Sequence, residues 1–108
     1  MRPGFRDDVA ALERAPATST ATRGLSDELR KKAAEGWQAY QHGNLEAAKA
    51  ALLPVVADPS TAPWMAYVLG WSHLALGEPA AAAQAWERVR REVPEFQPVY
   101  FDLADAYR

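Results

Sequence analysis

The sequence has 108 residues, with 12 lysines and arginines against 14 aspartates and glutamates, and it has no cysteine. These numbers favour one small domain and exclude disulfide bonds, thiol chemistry and cysteine-ligated metal sites. Because the net charge is only −2 and no apolar run approaches the ~18 residues of a transmembrane span, we expect neither a nucleic-acid-binding protein nor a membrane protein.

Residues 1–25 are predicted to form a flexible N-terminal segment. Their first residues lack the apolar core of a secretory signal, which favours a cytoplasmic location. Phe5, Val9 and Leu12 have the spacing of one helix face, although a helix of two turns is marginal in water unless it packs on a surface. Residues 15–24 consist mainly of Ala, Thr, Ser and Pro, which cannot bury enough apolar surface to offset chain entropy. They are therefore predicted to be a linker.

The second segment, residues 26–108, is predicted to be all-α with five helices. Alanine supplies 23 residues of the chain and isoleucine none, which favours helix over strand. Ser26 and Asn44 are candidate N-caps, and Gly43 and Gly77 suit the left-handed conformation that ends a helix. These signals, together with the prolines, place the helices at about 26–42, 44–57, 62–76, 79–93 and 98–108.

The chain repeats itself at an interval of 34 residues. Six pairs of identical or similar residues are separated by this offset: Gly36 and Gly70, Trp37 and Trp71, Gly43 and Gly77, Ala48 and Ala82, Leu52 and Trp86, Val55 and Val89. Such a period indicates a helical hairpin copied in tandem, in which each copy buries its apolar face by stacking on the next.

At these residues the chain resembles the tetratricopeptide repeat family. The family signature is matched in the second copy by Leu69-Gly70, Ala82, Trp86 and Pro94, and the last helix matches it again. The first copy is degenerate, with Lys32, Glu35 and Ala39 at signature positions. The resemblance covers about residues 26–108 and implies an α-solenoid of about two and a half repeats.

Small residues in this pattern predict close contact between the helices of a hairpin. Gly36 and Gly70 would let the facing helix approach, and bulk at either position would separate the two helices. The larger side chains that fill the resulting gaps are the predicted core. This core consists of Leu52, Val55, Leu69, Trp86, Val89, Leu103 and Tyr107.

Candidate catalytic and metal-binding residues are few. Ser72 adjoins His73, but neighbouring residues on a helix point about 100° apart, so the pair does not form a nucleophile and base. His42 and Glu46 are separated by a predicted helix break and have no third ligand nearby, which argues against a metal site. We therefore expect no enzyme activity, no cofactor and no metal, with an enzyme kept only as a remote alternative.

Several aromatic residues occupy positions outside the predicted core, and they indicate where a binding surface is expected. In tetratricopeptide arrays the first helix of each hairpin lines a concave groove, and nine of the residues that the resemblance places along it form the predicted site. They are Arg30, Trp37, Tyr40, Gln41, Trp64, Tyr67, Trp71, Phe101 and Arg108. Buried aromatic rings are typical of binding hot spots, and an exposed apolar patch of this size usually marks an interface.

These observations predict a non-enzymatic module that binds a partner peptide or helix in an aromatic concave groove. The first alternative is self-association into a homo-oligomer through the apolar C-terminal helix. A second alternative makes the N-terminal segment a built-in occupant of the groove, through Phe5, Val9 and Leu12. A third is the binding of a small molecule between the rings.

Overall fold

A computed structural model describes residues 5–14, 25–58 and 61–107 of the chain, and all regular secondary structure in these ranges is helical. The predicted all-α class is therefore confirmed. The described ranges contain six helices rather than five, because the N-terminal segment contributes one. They are α1 (Phe5–Arg14), α2 (Asp27–Gln41), α3 (Leu45–Ala57), α4 (Pro63–Ala75), α5 (Pro79–Glu92) and α6 (Pro98–Ala106).

The helix ends follow the local signals in the sequence. The side chain of Ser26 accepts a hydrogen bond from the Leu29 backbone N–H at 3.2 Å, and the Asn44 side chain accepts one from Ala47 at 3.3 Å. Gly43 and Gly77 have φ values of 80° and 78°, the left-handed conformation that ends α2 and α4. The predicted caps at both ends of α2 are confirmed.

Each helix from α2 onward packs against the next helix in the chain, and α4 lies at the centre of the assembly. It contacts α3 and α5, its neighbours in sequence, and also α1 and α2. Ten of its residues are buried, among them Met65, Val68 and Leu69. Because α4 is apolar all round, it can be covered on several sides at once.

At the two repeated glycines the paired helices approach each other closely. A Cβ atom added at Gly36 would lie 2.6 Å from Cγ of Leu52 on α3. At Gly70 it would overlap the indole ring of Trp86 on α5, whose Nε1–H donates a hydrogen bond to the Tyr67 carbonyl at 3.2 Å. The 34-residue repeat in the sequence thus corresponds to one contact made twice, between a glycine and a bulky side chain.

The predicted core is confirmed at six of its seven positions. Leu52, Val55, Trp86 and Val89 have no accessible surface, and Leu69 and Leu103 are also buried. The prediction was wrong at the seventh position, Tyr107, which follows α6 and is 66% exposed. Its hydroxyl donates a hydrogen bond to Glu87 Oε1 at 3.2 Å. A tyrosine at the end of the last described helix has no further helix over it and reaches sideways to α5.

Candidate functional site

Two cavities border the seam between α2 and α4, and together they form what we call the α2–α4 groove. The first lies where the C-terminal ends of the two helices meet and has a volume of about 460 Å³. Its lining is Tyr40, Gln41, Gly43, Leu45, Trp71, Leu74 and Ala75, none of which carries a charge. The second has a volume of about 620 Å³ and is lined by Arg30, Lys31, Ala34, Glu35, Trp37, Gln38, Gln41, Trp64 and Met65.

The first cavity is apolar in character. The ring of Tyr40 is largely buried, and this burial raises the pKa of its hydroxyl to about 12. The phenol therefore stays neutral throughout the physiological pH range. With Leu45, Trp71 and Leu74 around it, the cavity offers hydrocarbon and ring surface to an apolar group.

The second cavity differs because charged side chains stand at its edge. Arg30, Lys31 and Glu35 are exposed on α2, whereas Trp37 and Trp64 are partly buried and present ring surface between the helices. Trp37 also stacks on Tyr40, with ring centroids 6.2 Å apart and planes 11° from parallel. This stacking joins the aromatic linings of the two cavities, and Gln41 borders both.

Tyr67 does not belong to the accessible groove, and its predicted role there is corrected. Its ring has no exposed surface. The ring packs edge-on against Phe96, with centroids 5.2 Å apart, and is tilted by 47° relative to the Trp86 ring, with centroids 6.4 Å apart. Its hydroxyl donates a hydrogen bond to the buried carboxylate of Asp102 on α6. Tyr67 thus connects α4 to α5 and α6 as part of the core, because its position on the helix faces the third copy and not an open trough.

Trp71 combines a core contact with a place in the groove. Its indole is only 8% exposed and meets the Trp86 ring edge-on, with centroids 5.3 Å apart. The remaining accessible edge lines the first cavity. Removing this side chain would disturb the packing of α4 on α5, so loss of binding in a Trp71 variant would not by itself identify a contact residue.

The third copy contributes differently from the prediction. Phe101 on α6 is 67% exposed, but it lines neither of the two cavities of the groove. Arg108, the last predicted groove residue, lies outside the described residues. The groove as described is therefore built by the first two copies, with Arg30, Trp37, Tyr40, Gln41, Trp64 and Trp71 brought together.

Several residues of the groove lining were missed by sequence reasoning, among them the apolar Leu45 and Met65. Leu45 is the first residue of α3, and Met65 lies on α4 beside Trp64. Both line cavities although neither occupies a position that the repeat resemblance assigns to the groove. The proximity of Leu45 to Gly43 and Asn44, which turn the chain back, was the available signal for its position at the end of α2.

His73 belongs to a polar cluster with Glu78 and Lys49. His73 is buried, and its Nδ1 lies 2.8 Å from Glu78 Oε1; Lys49 Nζ donates to the same carboxylate at 2.9 and 3.1 Å. The hydrogen bonds from His73 and Lys49 lower the pKa of Glu78. This cluster links α3 to the connection between α4 and α5. Within residues 5–14, 25–58 and 61–107, no three potential metal ligands come together.

Comparison of the chain with known protein families, with curated proteins and with solved structures gave no match. Among the helices that the structure describes, none has the length and hydrophobicity needed to cross a lipid bilayer.

Proposed function

We propose that residues 26–108 form a solenoid of the tetratricopeptide type with about two and a half repeats. The proposal is supported by the 34-residue period and by the contacts that recur with it. Leu52 packs on Gly36 and Trp86 packs on Gly70, in each case from the second helix of a pair onto the first. The matching left-handed turns at Gly43 and Gly77 support it as well.

We propose that this solenoid binds a partner polypeptide, a helix or an extended apolar segment, in the α2–α4 groove. The observation that carries the proposal is the continuous aromatic lining of the two cavities, from Trp64 and Trp37 to Tyr40 and Trp71. Aromatic rings held rigidly by a scaffold supply large contact area at low entropic cost. Apolar side chains of the partner fit the uncharged cavity, and its polar groups meet Arg30, Lys31 and Glu35 at the other end.

The test uses Gln41, which is exposed and lines both cavities. The Gln41→Glu substitution preserves shape and introduces one charge where an apolar partner would have to cover it. Because a covered, unpaired charge costs well over 1.4 kcal/mol, we expect partner affinity to fall about tenfold or more. Partners captured by the wild-type chain are identified by mass spectrometry, and affinity is then measured by titration with tryptophan fluorescence as the signal.

Gln84→Glu is the matched control, because Gln84 is also an exposed helical glutamine but lies on α5, away from both cavities. It should bind as the wild type does. If Gln41→Glu and the control bind equally well, the α2–α4 groove is not the binding site.

The alternative proposal is self-association through α6. It is favoured by the exposure of Phe101 on α6 and of Tyr107 directly after it, which are 67% and 66% accessible, with Tyr100 on α6 also exposed. Sedimentation velocity of the wild type and a Phe101→Ser variant decides it. The alternative predicts a dimer that the substitution converts to monomer, and a wild type that stays monomeric at high concentration contradicts it.

A further inference from the structure

One side of α6 carries an exposed row of mainly aromatic side chains, which we call the α6 stripe. Tyr100, Ala104 and Tyr107 follow one another at intervals of one helical turn, and Phe101 adjoins them. All four residues are exposed, whereas the opposite side of α6 is buried. A helix that is apolar on both sides is normally covered on both. Within the part of the chain that the structure describes, α6 is covered on only one.

Two rings of the α6 stripe are held in place by hydrogen bonds. The Tyr100 hydroxyl donates to the Pro94 carbonyl at 2.8 Å, and the Tyr107 hydroxyl donates to Glu87 Oε1 at 3.2 Å. Beside Tyr107 a cavity of about 680 Å³ lies between α5 and the end of α6. Because rings that are already positioned lose little conformational freedom on binding, the stripe is prepared to receive a partner.

The repeat shows what covers the corresponding surface in the other two copies. Ala104 lies one repeat after Gly70 and two repeats after Gly36. Both glycines are buried beneath the second helix of their own pair, with Leu52 of α3 packed on Gly36 and Trp86 of α5 packed on Gly70. Ala104, by contrast, is exposed. The same chain thus covers this position with a helix twice and leaves it open once.

The aromatic position beside Ala104 differs between the copies in the same way. Phe101 corresponds to Ala33 and Tyr67, which have no exposed surface, but Phe101 is 67% exposed. The Tyr67 ring lies against Trp86 of α5, the second helix of its pair. A helix that packed on α6 as α5 packs on α4 would therefore bury Phe101 and Ala104 together.

We infer that the α6 stripe binds one amphipathic helix of a partner protein, in the manner in which α3 packs on α2 and α5 packs on α4. This inference rests on the proposed repeat arrangement and adds a binding surface separate from the α2–α4 groove. The second helices of the pairs define the apolar pattern that such a partner needs: an alanine, a packing residue four positions later and a valine three positions after that. In this chain the pattern is formed by Ala48, Leu52 and Val55 in α3 and by Ala82, Trp86 and Val89 in α5.

Ala104 limits the size of the packing residue in the partner helix. A Cβ atom added at Gly36 would lie 2.6 Å from Leu52 Cγ, and one added at Gly70 would overlap the Trp86 ring. Because Ala104 carries this Cβ atom, a helix in the same geometry needs a smaller side chain, such as valine. Neither α3 nor α5 of a second copy has one, so we assign the surface to a different protein.

The experiment uses the full-length chain and two fluorescein-labelled peptides with the sequence of residues 78–93, one unchanged and one with Trp86→Val. Binding is followed by fluorescence anisotropy for the wild type, for Ala104→Gly and for the control Ala50→Gly, which removes an exposed methyl group from α3. We expect the wild type and the control to bind the valine peptide at least about tenfold more tightly than the tryptophan peptide, because the indole overpacks against Ala104.

Ala104→Gly should reduce this preference at least about tenfold, because it restores the space that Gly70 provides for an indole. An equal ratio of the two affinities in all three chains overturns the inference, and so does the absence of binding by both peptides to the wild type. Circular dichroism shows whether Ala104→Gly has folded.

Phe101→Ser provides a second variant for the case in which Ala104→Gly does not fold. It removes an exposed ring from the stripe without placing a glycine in α6, and it should weaken binding of the valine peptide at least about tenfold. Unchanged affinity contradicts the inference. Sedimentation velocity identifies the occupant: a wild-type dimer that Phe101→Ser converts to monomer shows that a second copy covers the stripe and overturns the assignment to a partner helix.

The inference and the proposed groove fail separately. Gln41→Glu should leave the affinity for the valine peptide unchanged, because Gln41 lies on α2 and lines the α2–α4 groove. Loss of peptide binding in that variant would place the peptide in the groove and overturn the inference. Conversely, a groove that binds no partner would leave the affinity of the α6 stripe for the peptide unaffected.

Discussion

The two copies of the repeat share one framework but differ in how much of it is enclosed. In the first copy α2 buries three residues, Ala33, Gly36 and Tyr40, whereas α4 in the second copy buries ten. The difference arises because α4 has neighbours on both sides and α1 against it, while α2 stands at one end of the described repeats. A middle copy becomes core, and an end copy keeps more accessible surface.

The same position can therefore have different roles in the two copies. Trp37 and Trp71 are separated by one repeat, yet Trp37 stacks on Tyr40 at the open side of the groove while Trp71 packs on Trp86 in the interior. Likewise Ala33 and Tyr67 are equivalent by position and both are fully buried, but only the tyrosine reaches across to α6. Accessible ring surface therefore remains mainly in the first copy, where the rings are less completely enclosed.

The largest expected effect tests whether the two glycine contacts are equally tight. Gly70→Ala places a methyl group inside the volume of the Trp86 indole, and Gly36→Ala places one against Leu52. Alanine gains about 1 kcal/mol in helix propensity, but overpacking costs more than this where the neighbour is a rigid ring. We expect a net loss of about 2 kcal/mol for Gly70→Ala and about 1 kcal/mol for Gly36→Ala, measured by urea unfolding monitored by circular dichroism.

The sign of the change in the free energy of unfolding shows whether the close approach at each glycine is required. If either substitution raised the free energy of unfolding, the helices would have room to separate without loss, and the close approach would not be a requirement of the fold. Equal losses at the two positions would mean that the Leu52 side chain is as constrained as the indole.

A smaller effect tests the connection that only the second copy makes to α6. Tyr67→Phe removes a hydrogen-bond donor from the buried carboxylate of Asp102, and we expect a loss of about 1.5 kcal/mol, toward the lower end of the cost of removing a donor from a buried acceptor. Tyr100→Phe is the control, because the Tyr100 hydroxyl donates to the Pro94 carbonyl at 2.8 Å on the exposed surface. We expect less than about 0.5 kcal/mol for the control in the same unfolding measurement. A Tyr67→Phe chain as stable as the wild type would show that this hydrogen bond does not secure α6.

The smallest effect concerns the polar cluster between the copies. Glu78 has a lowered pKa in the folded chain because His73 and Lys49 hydrogen-bond to its carboxylate. Its stabilising contribution is therefore present above the ordinary glutamate pKa of about 4.3 and is lost as the pH falls through the lowered value. We expect the stability difference between the wild type and Glu78→Gln to be present near neutral pH and to vanish at low pH.

Paired unfolding curves of the two chains across this pH range provide the measurement, and taking their difference removes the titration of the other carboxylates. A difference that is constant from neutral to acidic pH would contradict the contribution of the ionised Glu78. The carboxylate is only partly buried, so the effect should be sensitive to salt, and added salt should reduce it.

Much of the fold was predictable because its signals act over short distances. Ser26 and Asn44 cap helices within three residues of themselves, and Gly43 and Gly77 adopt left-handed conformations that other residues disfavour. The repeat added the sites of close approach, since glycines that recur at the same offset predict the same packing twice. Tyr107 was misplaced because the repeat pattern does not state whether another helix covers that position.

The groove was less predictable than the helices. Trp37, Tyr40, Trp64 and Trp71 do line it, but Tyr67 does not, and the cause is the composition of α4. An amphipathic helix reveals its buried face through periodicity, whereas a helix that is apolar all round gives no such indication. Only the packing of α5 and α6 around Tyr67 determined that this ring belongs to the core.

The sequence by itself determined where the helices of the repeats begin and end and at which glycines the paired helices approach closely, because caps, turns and a fixed period are encoded locally. The tertiary structure decided which aromatic rings remain accessible and whether the N-terminal segment forms a helix. Both depend on surfaces that distant parts of the chain bring together: α1 is too short to form without α4, and the exposure of a ring is set by its neighbours and not by its own residue type.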